Sequence, residues 1–357
     1  MPSLSDTVPA RRRCWLLPVK DDPGTSYCLG VTWGKKRAMQ TCREWAFGVE
    51  IELLLGSKKK HSSWKGLATQ VSERLNRAGL DVFVNDQKDK SARVYQTWSI
   101  SPEITIKEDA AKGHYGIELV SPKYNLYSKW MDDLDTIFAV LGSSFVVVAS
   151  PSCGTHIHIS TEPAMEAQEV CTLAKMILST EPAFDALMPV ARRASARHWC
   201  QSNRAGSAFL GSKLTLEQCF QVVDLAARDG GVAGVVAALN THSPEAGSGF
   251  ARATRGRLAR LSGQRFKWNL AGLVNEGFGT RTMEFRQPPG SVTADGVRGW
   301  VELTLGFVEG VLRRSESGCQ LEAWYTVDDL WDLVQDGVAA LQLRDEWIGG
   351  IFSARQA

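Results

Sequence analysis

No stretch of this 357-residue chain approaches the roughly 18 consecutive apolar residues of a membrane-spanning helix. Near the N-terminus, Arg11, Arg12 and Arg13 precede only Cys14 to Val19 as an apolar run, too short for the core of a signal peptide. Charge of one dominant sign is also missing. Lys and Arg total 41 against 39 Asp and Glu, a net of +2, which gives no reason to expect nucleic acid or an anionic membrane as the main partner. Eight cysteines are present, but none forms a C-x-x-C pair. A zinc site or a disulfide framework is therefore not expected, and a reducing, cytosolic setting fits best. Neither G-x-x-x-x-G-K-[ST] nor G-x-G-x-x-G occurs, so any nucleotide would have to be held through metal and arginines. No internal repeat is found.

What is present is an ordinary globular composition, 44% apolar and 22% charged, with length enough for a sizeable core. Residues 1–44, with Pro9, Pro18, Pro23 and Gly24, read as an irregular lead-in carrying a short strand near Tyr27 to Trp33. Residues 45–320 read as the main domain. Strands are expected at Ala46 to Leu55, Val82 to Val84, within Tyr95 to Ile106, and at Gly116 to Val120, Phe145 to Ala149, Thr155 to Ser160 and Thr282 to Arg286. Apolar spacing places helices over Leu67 to Leu80, Trp130 to Leu141 and Pro163 to Leu178, the last with Thr161 as cap. Ala294 to Leu312 reads as a long amphipathic helix. Residues 201–263, rich in Gly, Ala and Ser, read as a partly helical insertion or lid, and 321–357 as a helical tail. Strands and helices are mixed without regular βαβ alternation, which predicts an α+β protein with a mainly antiparallel sheet.

Chemistry concentrates in side chains two apart on expected strands, which share one face of a sheet. Glu50 and Glu52 alternate with Val49, Ile51 and Leu53; His156 and His158 with Ile157 and Ile159; Glu284 and Arg286 flank Phe285; and Glu118 stands alone in an apolar strand. Charges in strands this apolar are costly unless paired or metal-bound, and carboxylates gathered on one face call for a cation. Oxygen donors with an imidazole suit Mg²⁺ or Mn²⁺. Taken singly, E-x-E is more often a solvated face, H-x-H a pair of surface imidazoles or the start of a hydrolase zinc site, and E-x-R a plain ion pair; their joint occurrence favours a site. Gly48 and Gly154, before the first two motifs, point to close backbone approach.

Two basic clusters leave alternatives open. Arg192, Arg193, Arg197 and His198 could bind phosphate or cover a helix surface, and Arg252, Arg255, Arg257 and Arg260 could close over a triphosphate or face solvent. Cys153 has no evident base partner and reads as no nucleophile. Trp130, Trp300 and Trp331 read as core.

In their order, Phe47-Gly-Val-Glu-Ile-Glu-Leu53, Glu118-Leu-Val-Ser-Pro122, Cys153-Gly-Thr-His-Ile-His158 and Thr282-Met-Glu-Phe-Arg-Gln287 resemble the amidoligase family, which belongs with glutamine synthetase and γ-glutamylcysteine synthetase to the carboxylate–amine ligase superfamily. Pro189 to Cys200 and Arg265-Phe-Lys-Trp-Asn-Leu270 resemble two further blocks, so the likeness covers about residues 45 to 313. It implies a glutamine-synthetase-like sheet curved into a half-barrel with helices outside and metals and ATP on the concave face. It also implies that Glu52 and Glu118 share one metal, that Glu50, His156 and Glu284 hold another, and that His158 stands further out or near the nucleotide. By the same likeness Arg286 meets the transferring phosphoryl group, and Arg193, Arg197, Arg265 and Asn269 line the nucleotide or substrate site. In one departure, the family's Asp and Ser after a strand Trp are Glu103 and Thr105 after Trp98 here; Glu103 is the candidate acceptor of an amine proton. The implied reaction is ATP-dependent amide formation from a small-molecule carboxylate and an amine through an acyl phosphate. The rivals are a metal-dependent amide hydrolase, disfavoured by the shortage of further histidines, and a non-catalytic nucleotide-binding relative.

Overall fold

The structure is a computed structural model; it describes residues 43–58, 61–87, 95–109, 111–193, 200–211, 213–242, 265–274, 281–316 and 324–353. The expected strand at Tyr27 to Trp33 and the arginines at 197, 252, 255, 257 and 260 lie outside these residues.

The longest strand, β1 (Glu44–Ser57), is the hub. Its run of branched and aromatic residues at alternate positions favours an extended chain buried on one face. Along one edge it pairs antiparallel with β4 (Tyr115–Val120) and β5 (Tyr124–Asn125), and along the other with β6 (Phe145–Val148) and β7 (Thr155–Glu162). Outward from β4 lie β3 (Trp98–Pro102) and β2 (Val82–Val84), and outward from β7 lie β9 (Met283–Phe285) and β8 (Trp268–Asn269). The result is an open nine-stranded sheet ordered β2-β3-β4-β1-β7-β9-β8, antiparallel except for the β2–β3 pair. The expected α+β class with a mainly antiparallel sheet is what the chain adopts.

Seven α-helices accompany the sheet among the described residues: α1 (Trp64–Arg77), α2 (Trp130–Ser144), α3 (Ala167–Leu187), α4 (Leu216–Asn240), α5 (Ala294–Glu316), α6 (Val327–Ala340) and α7 (Ile348–Ser353). They cover the apolar face. Phe47 of β1 meets Trp130 of α2 edge-on at 5.2 Å, and Phe285 of β9 lies 4.4 Å from Trp268 of β8 and 5.1 Å from Phe184 of α3, which in turn meets Phe307 of α5. Such aromatic contacts add to the large area these rings remove from water. Because this face is sealed, the alternate residues are forced to the other one.

Four local expectations change. Helix α3 starts at Ala167, capped by Glu166 in a reciprocal pairing with Glu169, and not at Pro163 under Thr161. Thr161 instead belongs to β7, its hydroxyl donating to the Pro163 carbonyl, so the strand runs on through the presumed cap. Helix α5 is buried on nearly every side and not along one stripe, because α6 covers the flank that the sheet leaves open. Helix α4, within the expected insertion, buries Val223, Val235, Val236 and Leu239 in the common core and is tied to α3 by Lys175–Asp224. Trp130 and Trp300 are core, while Trp331 is only partly buried.

The α5–α6 crossing is close enough to require glycine. A methyl on Gly337 would overlap the Gly306 carbonyl oxygen and come within 2.7 Å of the Gly310 nitrogen, both rigid helix backbone. An exposed helical Gly→Ala change gains up to about 1 kcal/mol. Gly337→Ala is expected to reverse that sign and cost about 1–3 kcal/mol, the usual penalty of overpacking, seen as an earlier denaturant midpoint with an unchanged slope.

Candidate functional site

The register brings the dispersed motifs into rows across the sheet. Glu50 of β1 stands between Val120 of β4 and His156 of β7; Glu52 stands opposite Glu118. On β7, His158 stands opposite Glu284 of β9, and Glu284 opposite Asn269 of β8. All of these side chains use the face that Val49, Ile51, Leu53, Ile157 and Phe285 do not, and those five are buried in the core. The alternation that buries one set displays the other.

The groups converge. His156 Nδ1 is 3.1 Å from Glu50 Oε2 and 3.7 Å from Glu284 Oε1, while its Nε2 is 3.6 Å from Glu52 Oε1. His158 Nε2 lies 3.1 Å from Glu50 Oε1 and 3.7 Å from Glu284 Oε1. Arg286 donates to Glu284 Oε1, and Asn269 Nδ2 donates to Glu284 Oε2 at 2.7 Å. Three overlapping sets have donor atoms within 4.8 Å of one another: Glu50, His158 and Glu284; Glu50, Glu118 and His156; and Glu52, Glu103 and Glu118. His158 thus stands among the carboxylates and not behind them. Glu103, from the loop after β3, joins Glu52 and Glu118, its Oε1 accepting from Thr105 N at 2.8 Å.

The electrostatics follow from this crowding. Burial pushes the Glu50 carboxyl upward, but the His158 charge and the hydrogen bonds from both imidazoles outweigh it and hold Glu50 well below the usual range. Burial likewise opposes ionisation of Glu284, and Arg286 and then His158 reverse it, leaving its pKa lowered. His158 moves the other way: burial disfavours its charge, yet Glu50 and Glu284 raise it to about 9. Burial also works against the Arg286 charge, and Glu284, Glu50 and Glu52 more than compensate. Burial, and then Glu52, push the Cys153 thiol to about 11, which leaves it protonated and a poor nucleophile near neutrality.

Two residues belong here that the sequence did not single out. The Tyr95 phenol is raised by burial and then by the charges of Glu50, Glu118 and Glu284. Arg192, read only as one member of a basic cluster, is buried behind the site and donates to backbone carbonyls of residues 286–288. Neither has a periodic signal: one precedes a strand and the other sits in a single 3-10 turn, Val190–Arg192. Arg193 goes elsewhere, lining a cavity of about 720 Å³ formed by the end of α3, the start of α5 and the segment of Trp347 to Ile351, with its Nε donating to the Met188 carbonyl. Arg265 uses its backbone to join Gln201 and lies beside His242, whose imidazole pKa is lowered by burial and then by that guanidinium. Gly154 does provide close approach, since a methyl there would overlap Arg192 Nη2. Gly48 does not, because a methyl there would meet Ser121 Oγ at an ordinary 3.5 Å.

Carboxylates, two imidazoles and one guanidinium thus converge on one face of the sheet. Residues 43–210, just under half of the chain, match the family model described as "Putative amidoligase enzyme". The span of that match contains β1 to β7 and agrees with the resemblance read from the motifs. Glu284, Arg286 and Asn269 lie beyond the matched segment and join the site through the β7–β9 and β8–β9 pairings. No curated protein matches the chain. No helix among the described residues is long and apolar enough to cross a membrane.

Proposed function

We propose that this protein is an ATP-dependent carboxylate–amine ligase, and that the open sheet is the half-barrel of a glutamine-synthetase-like catalytic domain spanning about residues 45–320. The observation that carries this reading is the single polar face on which Glu50, Glu52, Glu103, Glu118 and Glu284 meet His156 and His158, with Arg286 beside Glu284. Five carboxylates against one guanidinium and two imidazoles fit divalent cations, and the oxygen-rich donor sets favour Mg²⁺ or Mn²⁺ over softer metals. In this reading Glu52, Glu103 and Glu118 hold one ion and Glu50, His156 and Glu284, with His158, hold another. Bound there, the ions neutralise phosphate charge and help orient ATP.

The chemistry is then set out on the substrates. A carboxylate oxygen attacks the γ-phosphorus of ATP, the bond to the bridging oxygen breaks, and ADP leaves an acyl phosphate. The amine nitrogen attacks the acyl carbon, phosphate departs with the C–O bonding pair, and the amine proton is taken up by a carboxylate. Phosphorylation is what turns a poor acyl donor into a good one. Arg286 supplies a fixed positive charge where the phosphoryl group carries its negative charge, and the burial of its partner Glu284 keeps it ordered. Asn269 fixes the other Glu284 oxygen. Glu103 is the candidate proton acceptor as well as a cation ligand, two duties a single glutamine substitution would remove together.

The test is release of ADP by the full chain with pooled carboxylic and amino acids plus amines, with and without Mg²⁺. Release that needs Mg²⁺, acid and amine together is the expected result. Amide cleavage without ATP would establish the hydrolase instead, and nucleotide binding with neither reaction would establish a non-catalytic relative.

A further inference from the structure

Arg192 does something the reaction scheme does not require of it. Its guanidinium, on a residue only 5% exposed, donates to three consecutive backbone carbonyls: Nη2 to Arg286 O at 3.1 Å, Nε to Gln287 O at 3.1 Å, and Nη2 again to Pro288 O at 2.7 Å. These carbonyls directly follow the strand that carries Glu284. The Pro288 oxygen is shared: it also accepts from Thr155 N at 3.2 Å, the residue before His156. Alongside, Gly290 N donates to Cys153 O at 2.9 Å, and Gly154 pairs with Pro289 in a short bridge. Gly154 N in turn donates to Glu52 Oε2 at 2.6 Å. The end of β9 and the start of β7, which supply Glu284, Arg286 and His156, are thus joined at one point, and Arg192 is the side chain at that point.

The surroundings hold Arg192 still. Its own carbonyl accepts from Gln287 Nε2 at 3.0 Å, and the same Nε2 reaches Asp185 Oδ1 of α3 at 2.6 Å. Asp185 and Glu181 of α3 are neutralised by the buried Lys267, whose carbonyl accepts from Arg286 N at 2.8 Å. A methyl on Gly154 would overlap Arg192 Nη2 and lie 2.8 Å from His156 Nε2, so guanidinium and imidazole pack against the same bare backbone. Only a planar fork of donors can serve three carbonyls in sequence; a lysine ammonium is a point with a longer, flexible stem.

We infer that Arg192 is a positioning residue: by clasping the carbonyls of residues 286–288 against β7 it sets the spacing between His156 and Glu284, and so the geometry of the cation site they share. This rests on the proposed metal-dependent ligase reading. Partners one step behind metal ligands commonly change affinity by about 10- to 100-fold when lost, because the ligands must then be ordered by the ion itself.

The experiment is Mn²⁺ titration of the full chain, followed by calorimetry, for the wild type, Arg192→Lys, Gly154→Ala and Gly337→Ala, each with its melting temperature. Arg192→Lys alone removes the fork of donors, while Gly154→Ala crowds the guanidinium and the His156 imidazole together; Gly337→Ala lowers stability at a distance from the site. Arg192→Lys and Gly154→Ala are expected to bind Mn²⁺ about tenfold or more weakly while still melting cooperatively. Gly337→Ala is expected to melt earlier and bind as the wild type does. Wild-type Mn²⁺ affinity in either site variant overturns the positioning role and leaves the ligase reading standing. If Gly337→Ala loses affinity in step with its stability, the effect is general loosening and the inference falls. Absence of Mn²⁺ binding by the wild type overturns the metal-dependent reading, and the inference with it.

Discussion

Glu284→Ala is expected to be the most damaging single substitution, lowering both activity and stability. The carboxylate takes hydrogen bonds from Arg286 and Asn269 and lies 3.7 Å from an imidazole nitrogen of His156 and of His158. Its pKa is lowered in spite of burial, so its ionised form is a net stabiliser of the folded chain. Removing it leaves the Arg286 guanidinium without its nearest counter-charge in a mostly buried place. Breaking a buried pair from one side costs about 3–5 kcal/mol, far more than an exposed pair contributes, because the remaining charge stays desolvated. In the proposed reaction the same change removes a cation ligand and the group that orders Arg286. A fall in ADP release of about 10²- to 10³-fold is expected, the scale seen when one fixed electrostatic group is deleted. Glu284→Gln keeps shape while removing charge, so it should recover part of the stability and little of the activity. Glu284→Ala with wild-type unfolding and ADP release would remove the central residue from the proposal.

The second large effect concerns Glu302, far from any motif. It lies in the middle of α5 and is fully buried. Burial and then the Glu346 charge raise its carboxyl to about 8, and the Arg344 backbone N–H with the Arg344 and Arg298 charges only partly offset them. The sign of the linkage is that of a raised acid. Between about pH 4.5 in the unfolded chain and about 8 in the folded one, the folded state binds the extra proton. Stability contributed by Glu302 is therefore complete below this window and falls by about 1.4 kcal/mol per pH unit within it. Above it a few kcal/mol have been lost. Glu302→Gln mimics the protonated acid and should remove that slope. The two proteins are expected to unfold alike near pH 5 and to separate by several degrees or more at pH 9, the variant being the more stable. Parallel melting curves across the range would show that Glu302 titrates normally.

The two predictions fall at positions of opposite legibility. Glu284 was visible in the sequence because strand period 2 displays it: Phe285 must be buried, so Glu284 and Arg286 share the other face. The same argument placed Glu50 with Glu52 and His156 with His158 before any pairing was known. Periodicity says which face, however, and never which neighbour. That Glu50 faces His156 while Glu52 faces Glu118 depends on the register of two separate pairings of β1. The closeness of His158 to Glu50 follows from that register, and the entry of Glu103 from the β3–β4 pairing that sets Ser101 opposite Glu118.

Glu302 was not visible, because a glutamate on a helix that reads as amphipathic is ordinarily assigned to solvent. Its burial arises when α6 and the C-terminal segment close over α5, contacts between parts of the chain whose patterns are locally ordinary. Arg192 shows the same limit. A lone arginine in a basic cluster resembles a surface charge, and only the meeting of β7, β9 and α3 around it makes it internal.

The amino-acid sequence by itself determined the strands that carry Glu50, Glu52, Glu118, His156, His158, Glu284 and Arg286, and which face each of these takes, since side-chain alternation is a local property of an extended chain; it did not show β5 or settle β8. Tertiary structure alone decided which of those groups touch, which cation-ready sets they form and which charges lose their water, since these depend on strand pairings between distant segments, as with Glu52 opposite Glu118 across β1 and β4 and His156 beside Glu50 at a separation of 106.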